Sequence, residues 1–228
     1  MTRQVGDTSE ANRWDDRYSG AELVWSRKPN RWVVQELQGR PPGTALDVAT
    51  GEGRNAIWLA EIGWSVTAVD FSQVALRRAA SLEAEAEEER GEQLDIEWVW
   101  GDLRTWELPS SAYDLVLVSY LHLPTYERTP LVRACAAALT SNGILLIIGH
   151  DTSNLTEGYG GPQDAGVLYT AADLEADLQD LIHSGTYVVE RSGRFAREVT
   201  VGETTHVAWD VLLKVRRKGQ SKSGYQLD

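Results

Sequence analysis

The sequence predicts an α/β fold: a Rossmann-like, seven-stranded and mostly parallel sheet with an antiparallel last strand and helices on both faces. The first observation is that strand-like and helix-like segments alternate from residue 44 to residue 151, which is typical of βαβ units with right-handed crossovers. The second is a pair of strand-like segments near the C-terminus with few residues between them, which favours an antiparallel hairpin.

The chain divides into three predicted regions. Residues 1–40 form an N-terminal helical cap segment, residues 41–217 form the main domain, and residues 218–228 form a disordered tail. Within the cap segment, residues 1–12 read as disordered, and two short helices follow, the second beginning after Asn30. The run "PPG" then breaks the chain before the first strand.

The main domain is predicted element by element from its hydrophobic periodicity. In chain order, the predicted strands are TALDVAT, SVTAVD, IEWVWGD, YDLVLVSY, NGILLIIGHD, TYVVERSGRF and THVAWDVLLKVRR. The predicted helices are GRNAIWLAEIG, QVALRRAASLEAEAEEER, ERTPLVRACAAALT and TAADLEADLQDL, the last with Thr170 as N-cap. A polar, glycine-rich loop, TSNLTEGYGGPQDAG, separates the fifth strand from the last helix.

Composition excludes several classes of protein. The net charge of −12 would repel a phosphate backbone, so no nucleic-acid partner is expected. No apolar run is long enough to span a membrane, and the polar N-terminus lacks a signal-peptide core, so a cytoplasmic protein without a membrane partner is predicted. Cys135 lies in a helical pattern and is expected to be buried. Four histidines and one cysteine show no metal-ligand spacing, so no metal site is expected.

The glycine turn after the first strand predicts a cofactor site. Gly51 and Gly53 lie where an apolar strand ends and a helix begins, and glycine there allows positive φ and close approach of a ligand. Residues 51–56 fit the dinucleotide pattern G-x-G-x-x-A, with Asp70 at the end of the next strand to hold a ribose. S-adenosylmethionine, whose ribose also needs an acidic partner, is the second reading.

Three details favour S-adenosylmethionine over a dinucleotide. Asp47 lies four residues before Gly51, where its charge suits the ammonium of a methionine moiety and would repel a pyrophosphate. Asp102 ends the third strand, where it could accept a hydrogen bond from an adenine amino group. The terminal hairpin reverses the last strand.

These motifs carry a resemblance to a known family. "LDVATGEGRN", "VDFS", "GDL" and the closing hairpin resemble the class I S-adenosylmethionine-dependent methyltransferases over roughly residues 40–215. The pattern of Trp14, Arg17, Tyr18, Trp25 and Pro29 is similar to the small-molecule branch that contains the tellurite-resistance and thiopurine methyltransferases. The resemblance implies that the first four strands hold the cofactor and that the N-terminal segment folds over it. The family's usual first glycine of the turn is Ala49 here.

Site roles follow from the resemblance, position by position. It implies that the methionine end of the cofactor pocket is shaped by Asp47, Ala49, Gly51 and Gly53. Ribose and adenine would be bound by Asp70, Phe71, Asp102 and Leu103. Ser119 and Tyr120 would lie under the sulfonium, and Trp14 and Trp25 would cap the site.

The expected activity is in-line methyl transfer to a small-molecule acceptor. His122 and His150 follow the fourth and fifth strands and are the candidate catalytic bases, with Asp151 beside His150 in sequence. Tyr120, Tyr159 and Tyr169 are candidates for lining the acceptor pocket, with the glycine-rich loop as a lid. A nicotinamide-dependent oxidoreductase and a non-catalytic S-adenosylmethionine-binding regulator are the alternatives. The acceptor atom and the oligomeric state stay open.

Overall fold

The computed structural model describes residues 8–20, 23–24 and 26–219. Two helices precede the sheet, α1 (Thr8–Tyr18) and α2 (Arg31–Leu37). Asn30 caps α2, as predicted, because its side chain accepts from the amide of Trp32 at 2.8 Å.

Helix α1 begins at Thr8, although residues 1–12 were expected to be disordered. Trp14 and Tyr18 lie one turn apart and stack with ring centroids separated by 5.7 Å. Helix α1 contacts a later helix of the main domain, and Tyr18 is buried. The prediction of disorder was wrong for residues 8–12, because composition alone does not reveal such packing, and residues 1–7 lie outside the described residues.

The main domain alternates strands and helices as predicted. Its elements are β1 (Thr44–Val48), α3 (Arg54–Glu61), β2 (Ser65–Asp70), α4 (Gln73–Arg90), β3 (Ile96–Trp100), β4 (Tyr113–Ser119), α5 (Thr125–Ala137), β5 (Leu139–His150), α6 (Ala171–Asp177), α7 (Gln179–His183), β6 (Tyr187–Val201) and β7 (Thr204–Arg217). A short 3₁₀ helix, Thr152–Leu155, follows β5.

The seven strands form one sheet in the order β3-β2-β1-β4-β5-β7-β6. The first five strands pair in parallel, whereas β7 pairs antiparallel with both β5 and β6. The predicted fold class is therefore confirmed. Strand order reverses on either side of β1, between β2 and β4, and ligands of open α/β sheets bind outside the carboxyl ends of the strands at such a reversal.

Apolar side chains form two cores, one on each face of the sheet. On one face, α5 and α6 pack against the strands through residues such as Val132, Cys135 and Leu174. On the other face, α2 and α3 do so through residues such as Trp32 and Leu59. Cys135 is fully buried, as expected, and burial raises the pKa of its thiol to about 12.

The structure differs from the predicted elements at several places. The helix predicted as ERTPLVRACAAALT ends at Ala137, and β5 begins at Leu139, three residues before the predicted strand. The single helix expected over residues 170–181 is interrupted at Leu178, which separates α6 from α7. The terminal hairpin is also longer than expected, since its strands pair out to Val201 and Thr204. Strand β5 pairs with β7 only from Asp210 onward, so the first residues of β7 and the end of β6 project past the carboxyl end of β5. This part, residues 196–209, is called the hairpin extension.

Membrane association by a spanning helix has no support in the structure. Among the described residues, no helix combines the length and apolar character needed to cross a bilayer.

Candidate active site

The turn between β1 and α3 is shaped by glycine and by close packing. Gly51 and Gly53 adopt φ values of 60° and 78°, the left-handed region that glycine occupies without strain. A Cβ on Gly53 would lie 2.9 Å from Cζ3 of Trp98 and closer still to its Cη2. The turn therefore presents bare backbone at the carboxyl end of β1.

Asp47 lies at the end of β1, beneath this turn. Its side chain is almost fully buried, and Oδ2 accepts a hydrogen bond from Oγ1 of Thr50 at 2.6 Å. Oδ1 is buried and has no hydrogen-bond partner in the described part of the chain. Burial, reinforced by the nearby Asp70 and opposed by the Thr50 bond, raises the pKa of Asp47 to about 7. A buried carboxylate with an unpaired oxygen is suited to a cationic ligand.

Asp70 ties the end of β2 to the glycine turn. Its Oδ2 accepts from the amide of Gly51 at 2.8 Å, and its Oδ1 accepts from the amide of Ser72 at 2.8 Å. Burial raises the pKa of Asp70, against the effect of these hydrogen bonds. The backbone amide of Gly101, after β3, donates to the Asp70 carbonyl at 3.1 Å. Asp70 thus links the end of β1 through its carboxylate and the end of β3 through its backbone carbonyl.

The residues predicted for the adenine end are near this point, but one is already paired. The Asp102 carboxylate accepts from the Arg104 amide at 2.9 Å and from Nη2 of Arg104 at 2.8 Å. Burial opposes ionisation of Asp102, yet the bonds from Arg104 outweigh it and lower its pKa. Leu103 packs against the α5 side of the core, and Phe71 is half-buried, its carbonyl accepting from Nε1 of Trp100 at 2.9 Å. Adenine contacts by these residues stay a prediction.

Ala49 takes the left-handed conformation that the family's glycine would occupy. Its φ is 55°, and a Cβ in this region costs roughly 1–2 kcal/mol. The substitution therefore leaves the turn in place but under backbone strain.

The N-terminal segment is fastened beside the turn. Ser72 Oγ donates to the carboxylate of Asp15 in α1. Glu52, inside the turn, pairs with Arg78 at 2.7 Å and accepts from the amide of Val24 at 3.3 Å. Glu52 is buried. Its position in a glycine-rich turn did not reveal that it joins the N-terminal segment to the turn.

The two tryptophans predicted to cap the site differ in what can be said of them. Trp14 lies in α1, half-buried, with the Arg17 guanidinium 5.0 Å from its ring centroid. Trp25 lies outside the described residues. The capping role of both stays a prediction.

Beyond β4, a second group of polar side chains begins. Ser119 Oγ is buried with no hydrogen-bond partner among the described residues. The next residue, Tyr120, has a φ of 58°, and its hydroxyl donates to Oδ2 of Asp210 at 3.0 Å. Burial, with the negative charge of Asp210, raises the pKa of Tyr120 to about 12.

Asp210 in β7 is the centre of this group. It is fully buried, and its Oδ2 accepts from Nε1 of Trp32 at 2.8 Å and from Nε of Arg197 at 2.6 Å, besides Tyr120. Asp210, Arg197 and Trp32 were not identified as site residues from the sequence. The available signal was the carboxylate of Asp210 inside the apolar run "HVAWDVLLKV", because a buried charge needs partners.

The two candidate bases lie side by side. Nε2 of His122 accepts from the backbone amide of His150 at 3.0 Å, and the two rings stack with centroids 5.3 Å apart. Burial lowers the pKa of His122 to about 3, helped by His150, and burial lowers the pKa of His150 to about 4. Both imidazoles are therefore neutral near pH 7. The lone pair of His122 on Nε2 is already used by the His150 amide.

Asp151, the sequence neighbour of His150, does not serve it. Its Oδ1 accepts from the amide and the hydroxyl of Ser153 at 2.9 and 2.7 Å, which caps the 3₁₀ helix. The carboxylate near His150 is instead that of Asp210, 3.7 Å from Nδ1.

The loop after β5 covers His150 and rests on the hairpin extension. A Cβ on Gly161 would lie 2.7 Å from Cγ of His150, so only a glycine allows the loop to come this close. Tyr159 stacks on His206 with centroids 4.3 Å apart, and its amide donates to the Val207 carbonyl at 2.9 Å.

Tyr169 lies deeper than a pocket-lining residue. It is almost fully buried, packs over Gly149, and donates to the Leu121 carbonyl at 3.0 Å. It therefore supports the rings above it, since His122 stacks on it at 5.6 Å.

S-adenosylmethionine fits the residues at the carboxyl ends of β1, β2 and β4. The unpaired Oδ1 of Asp47 suits an ammonium, and the unpaired Oγ of Ser119 provides a further polar contact. The turn at Gly53 leaves no space for a side chain. Among the described residues, no group of three or more His, Cys, Asp or Glu side chains is arranged to hold a metal ion.

Fold and site together define a class I cofactor-binding α/β domain of the methyltransferase type, and comparison with known proteins agrees. Residues 45–143 match the family model described as "Methyltransferase domain". An uncharacterized methyltransferase of Mycobacterium tuberculosis is 36% identical over 121 residues, which is 52% of this chain and 57% of that protein. The match thus spans little more than half the length of this relative.

Solved structures share the fold. One, described as "Conversion of a Disulfide Bond into a Thioacetal Group during Echinomycin Biosynthesis", has a TM-score of 0.68 at 19% identity, covering 94% of this chain and 95% of that one. Magnesium protoporphyrin IX methyltransferase from Synechocystis, with bound S-adenosylhomocysteine, has a TM-score of 0.57 at 18% identity, covering 96% and 90%.

Residues 45–143 thus match a methyltransferase domain, and the similarity to a mycobacterial methyltransferase supports the class I S-adenosylmethionine-dependent type. The predicted family and its cofactor, S-adenosylmethionine, are confirmed, and the nicotinamide reading is not supported.

Proposed function

We propose that this protein transfers a methyl group from S-adenosylmethionine to a small-molecule acceptor by in-line displacement. The observation that carries the proposal is the buried carboxylate of Asp47, whose Oδ1 has no partner in the described residues beside a turn of bare backbone. Such an oxygen is costly to bury unless a cation completes it.

Named residues would hold the cofactor. Asp47 would face the ammonium of its methionine end, with the Gly51–Gly53 turn against it. Asp70 would bind the ribose hydroxyls, and Phe71 and Leu103 would flank the adenine. When bound, S-adenosylmethionine supplies a methyl group already activated by a positively charged sulfur, so alignment and exclusion of water are the main tasks of the protein.

The Asp102 carboxylate already accepts a hydrogen bond from Arg104, so adenine would have to share that carboxylate with Arg104. Ser119 and Tyr120 would lie under the sulfonium, Ala49 would shape the turn, and Trp14 and Trp25 would close the site. These roles extend the family resemblance and belong to the proposal.

His150 is the proposed general base. Its side chain is 14% exposed, against full burial of the neighbouring Asp210. Nε2 of His150 would take the proton that the acceptor atom loses when it receives the methyl group. His122 is unsuited to this step because its Nε2 accepts the His150 amide, so it positions His150 instead.

Exclusion of water is assigned to the loop over His150 and to the hairpin extension. The loop contacts the His150 ring at Gly161 and the extension at Tyr159. Opening and closing of this loop would admit the acceptor and release the product.

The acceptor class follows from the surface and the relatives. The net charge of −12 disfavours a nucleic-acid acceptor. One neighbour is described by echinomycin biosynthesis and another by magnesium protoporphyrin IX, both of which support a small acceptor. A cytoplasmic location completes the proposal.

Calorimetry tests the cofactor part of the proposal. We expect S-adenosylhomocysteine to bind the full chain at micromolar affinity and nicotinamide dinucleotides not to bind. Asp70→Asn, which keeps the shape but loses the charge, should weaken binding by about 1–3 kcal/mol. Glu97→Gln is the matched control, since Glu97 is exposed on β3. The reverse preference for dinucleotides would refute the proposal.

Turnover tests the catalytic part. Full-length protein with methyl-labelled S-adenosylmethionine and a cell-extract metabolite fraction should yield labelled small molecules, and His150→Gln should abolish the label. Label on nucleic acid, or binding without any transfer, would contradict the proposed activity and indicate a different acceptor or a binding protein.

A further inference from the structure

We infer that Asp210 is a positioning residue, which holds the imidazole of His150 with its proton on Nδ1 so that Nε2 faces the acceptor. This inference rests on the proposed function, because it assigns the proton arrangement of the proposed base. It does not follow from sequence motifs, since residues 150 and 210 lie on different strands.

The register of the sheet brings the two residues together. His150 and Asp210 are direct partners in the antiparallel pairing of β5 with β7. Directly opposed residues of an antiparallel pair place their side chains on the same face of the sheet. Nδ1 of His150 and Oδ1 of Asp210 are accordingly 3.7 Å apart, less than one ångström beyond an ordinary hydrogen bond.

The two oxygens of Asp210 are not equivalent. Oδ2 accepts from Trp32, Tyr120 and Nε of Arg197. Oδ1 accepts from Nη2 of Arg197 at a longer 3.2 Å. A carboxylate oxygen has two lone pairs, so Oδ1 retains the capacity for one more donor, on the side that faces His150.

His150 supplies the matching donor. Its Nδ1 is buried, and no hydrogen-bond partner for it is present among the described residues. A buried ring nitrogen that carries a proton is stabilised by an acceptor, and Oδ1 of Asp210 is the acceptor at hand. A short movement of the ring would complete the bond, and hydrogen bonds of catalytic groups commonly tighten when ligands bind.

Fixing the proton on Nδ1 determines what Nε2 can do. In a neutral imidazole one nitrogen donates and the other accepts. If Asp210 holds the Nδ1 proton, Nε2 carries the lone pair that takes the acceptor's proton. Arg197 balances the charge of Asp210, so the carboxylate can orient His150 without adding a net negative charge to the site.

A spectroscopic measurement on the wild-type chain tests this directly. Long-range ¹H–¹⁵N correlation of the histidine rings in the full-length protein at neutral pH should show His150 protonated on Nδ1 and unprotonated on Nε2. Variants His150→Gln and His122→Gln assign the signals. His122 is an internal reference, because its Nε2 accepts a backbone amide and must lack a proton. A proton on Nε2 of His150 would overturn the inference.

Mutation supplies a second test. Asp210→Asn should lower kcat by roughly 10- to 100-fold, because the base loses its orientation, while S-adenosylhomocysteine affinity stays within about twofold. Asp151→Asn, which alters the carboxylate next to His150 in sequence, should leave kcat near the wild-type value. Equal kcat losses in the two variants would contradict the inference.

The outcomes separate this inference from the proposed function. If Asp210→Asn does not fold, the tautomer measured in the wild-type chain decides alone. If wild-type protein transfers no methyl group but shows the Nδ1 proton, the proposed function fails and the positioning of His150 by Asp210 stands.

Discussion

The proposed cofactor side and the proposed acceptor side of the site differ in how far apart in sequence their hydrogen-bonded residues lie. On the cofactor side, the hydrogen bonds join residues close in sequence: Asp47 and Thr50 are three residues apart, and Gly51 and Asp70 are 19 apart. On the acceptor side, Trp32 and Asp210 are 178 residues apart. The first region depends on a short sequence motif and its backbone conformation. The second region forms only when distant strands pair in the sheet.

The two regions also differ in how their carboxylates are completed. Asp47 has an oxygen without a partner in the described residues and a pKa raised to about 7 by burial. Asp210 is fully buried and accepts hydrogen bonds from three other side chains. The carboxylate on the proposed cofactor side therefore has an oxygen that could still accept a hydrogen bond from a ligand. The carboxylate on the proposed acceptor side already accepts bonds that hold its neighbours in position.

The largest effect is expected for a variant that disrupts the glycine turn on the proposed cofactor side. Gly53→Ala should lower the free energy of unfolding by about 2–4 kcal/mol, since the new Cβ is strained by positive φ and strikes the ring of Trp98. Chemical denaturation measures this loss.

Gly91→Ala is the matched control for Gly53→Ala. Gly91 has a φ of 72° but nothing within 4 Å of the added Cβ, so the loss should be only about 1 kcal/mol. Equal losses would mean that packing against Trp98 does not constrain the turn.

The next effect weakens the acceptor side. Tyr120→Phe removes a donor to the buried Asp210 and should cost about 1.5–3 kcal/mol of unfolding free energy, the range for a hydrogen bond to a charged group. Tyr113→Phe on the same strand is the control, because no hydrogen bond of the Tyr113 hydroxyl is present in the described region. If Tyr120→Phe lost no more unfolding free energy than Tyr113→Phe, the hydrogen bond from Tyr120 to Asp210 would not stabilise the fold.

A smaller effect should appear in the pH dependence of cofactor binding. With its pKa raised to about 7, Asp47 is mostly protonated at pH 6 and mostly ionised at pH 8. Pairing with an ammonium needs the ionised form, so S-adenosylhomocysteine affinity should rise by about tenfold between these values. Calorimetry measures it, and Asp47→Asn should remove the dependence.

The stability of the free protein should move in the opposite direction. The folded pKa of Asp47 lies above its unfolded value of 3.8, so the unfolded chain loses its proton first as pH rises. The contribution of Asp47 to folding stability therefore falls between about pH 4 and pH 7. An affinity that also fell with rising pH would contradict the assignment of Asp47 to the ammonium.

The smallest expected effect is a gain. Ala49→Gly relieves a residue at φ 55° and should raise unfolding free energy by about 0.5–1 kcal/mol, after allowance for the greater freedom of glycine in the unfolded chain. Asn142→Gly is the control, since asparagine tolerates its φ of 68°. A destabilised Ala49→Gly variant would show that Ala49 makes a needed contact.

What the sequence could predict follows the same division. Asp47, Gly51, Gly53 and Asp70 were identified because strand ends and glycine turns are local signals, and parallel strands bring their ends to one edge. In the structure the Gly51 amide donates directly to Asp70, and Asp47 accepts from Thr50 in the same turn.

The acceptor side could not be predicted in this way. The sequence suggested Asp151 as the partner of His150, but neighbouring residues on a strand point to opposite faces, and Asp151 caps the next helix instead. Finding Asp210 requires the register of β5 against β7. The length of β6 was missed for a related reason, because its outer residues pair without an apolar pattern to mark them.

The hairpin extension lies far from the glycine turn in the sheet. It lies at the edge of the sheet farthest from β3, its two strands pair with each other, and the loop after β5 hydrogen-bonds to it at Val207. Under the proposed assignment, insertions or deletions there would alter the acceptor side and leave the turn that would hold the methyl donor in place. Within such a lineage, selectivity should drift quickly at this ribbon and slowly at the glycine turn.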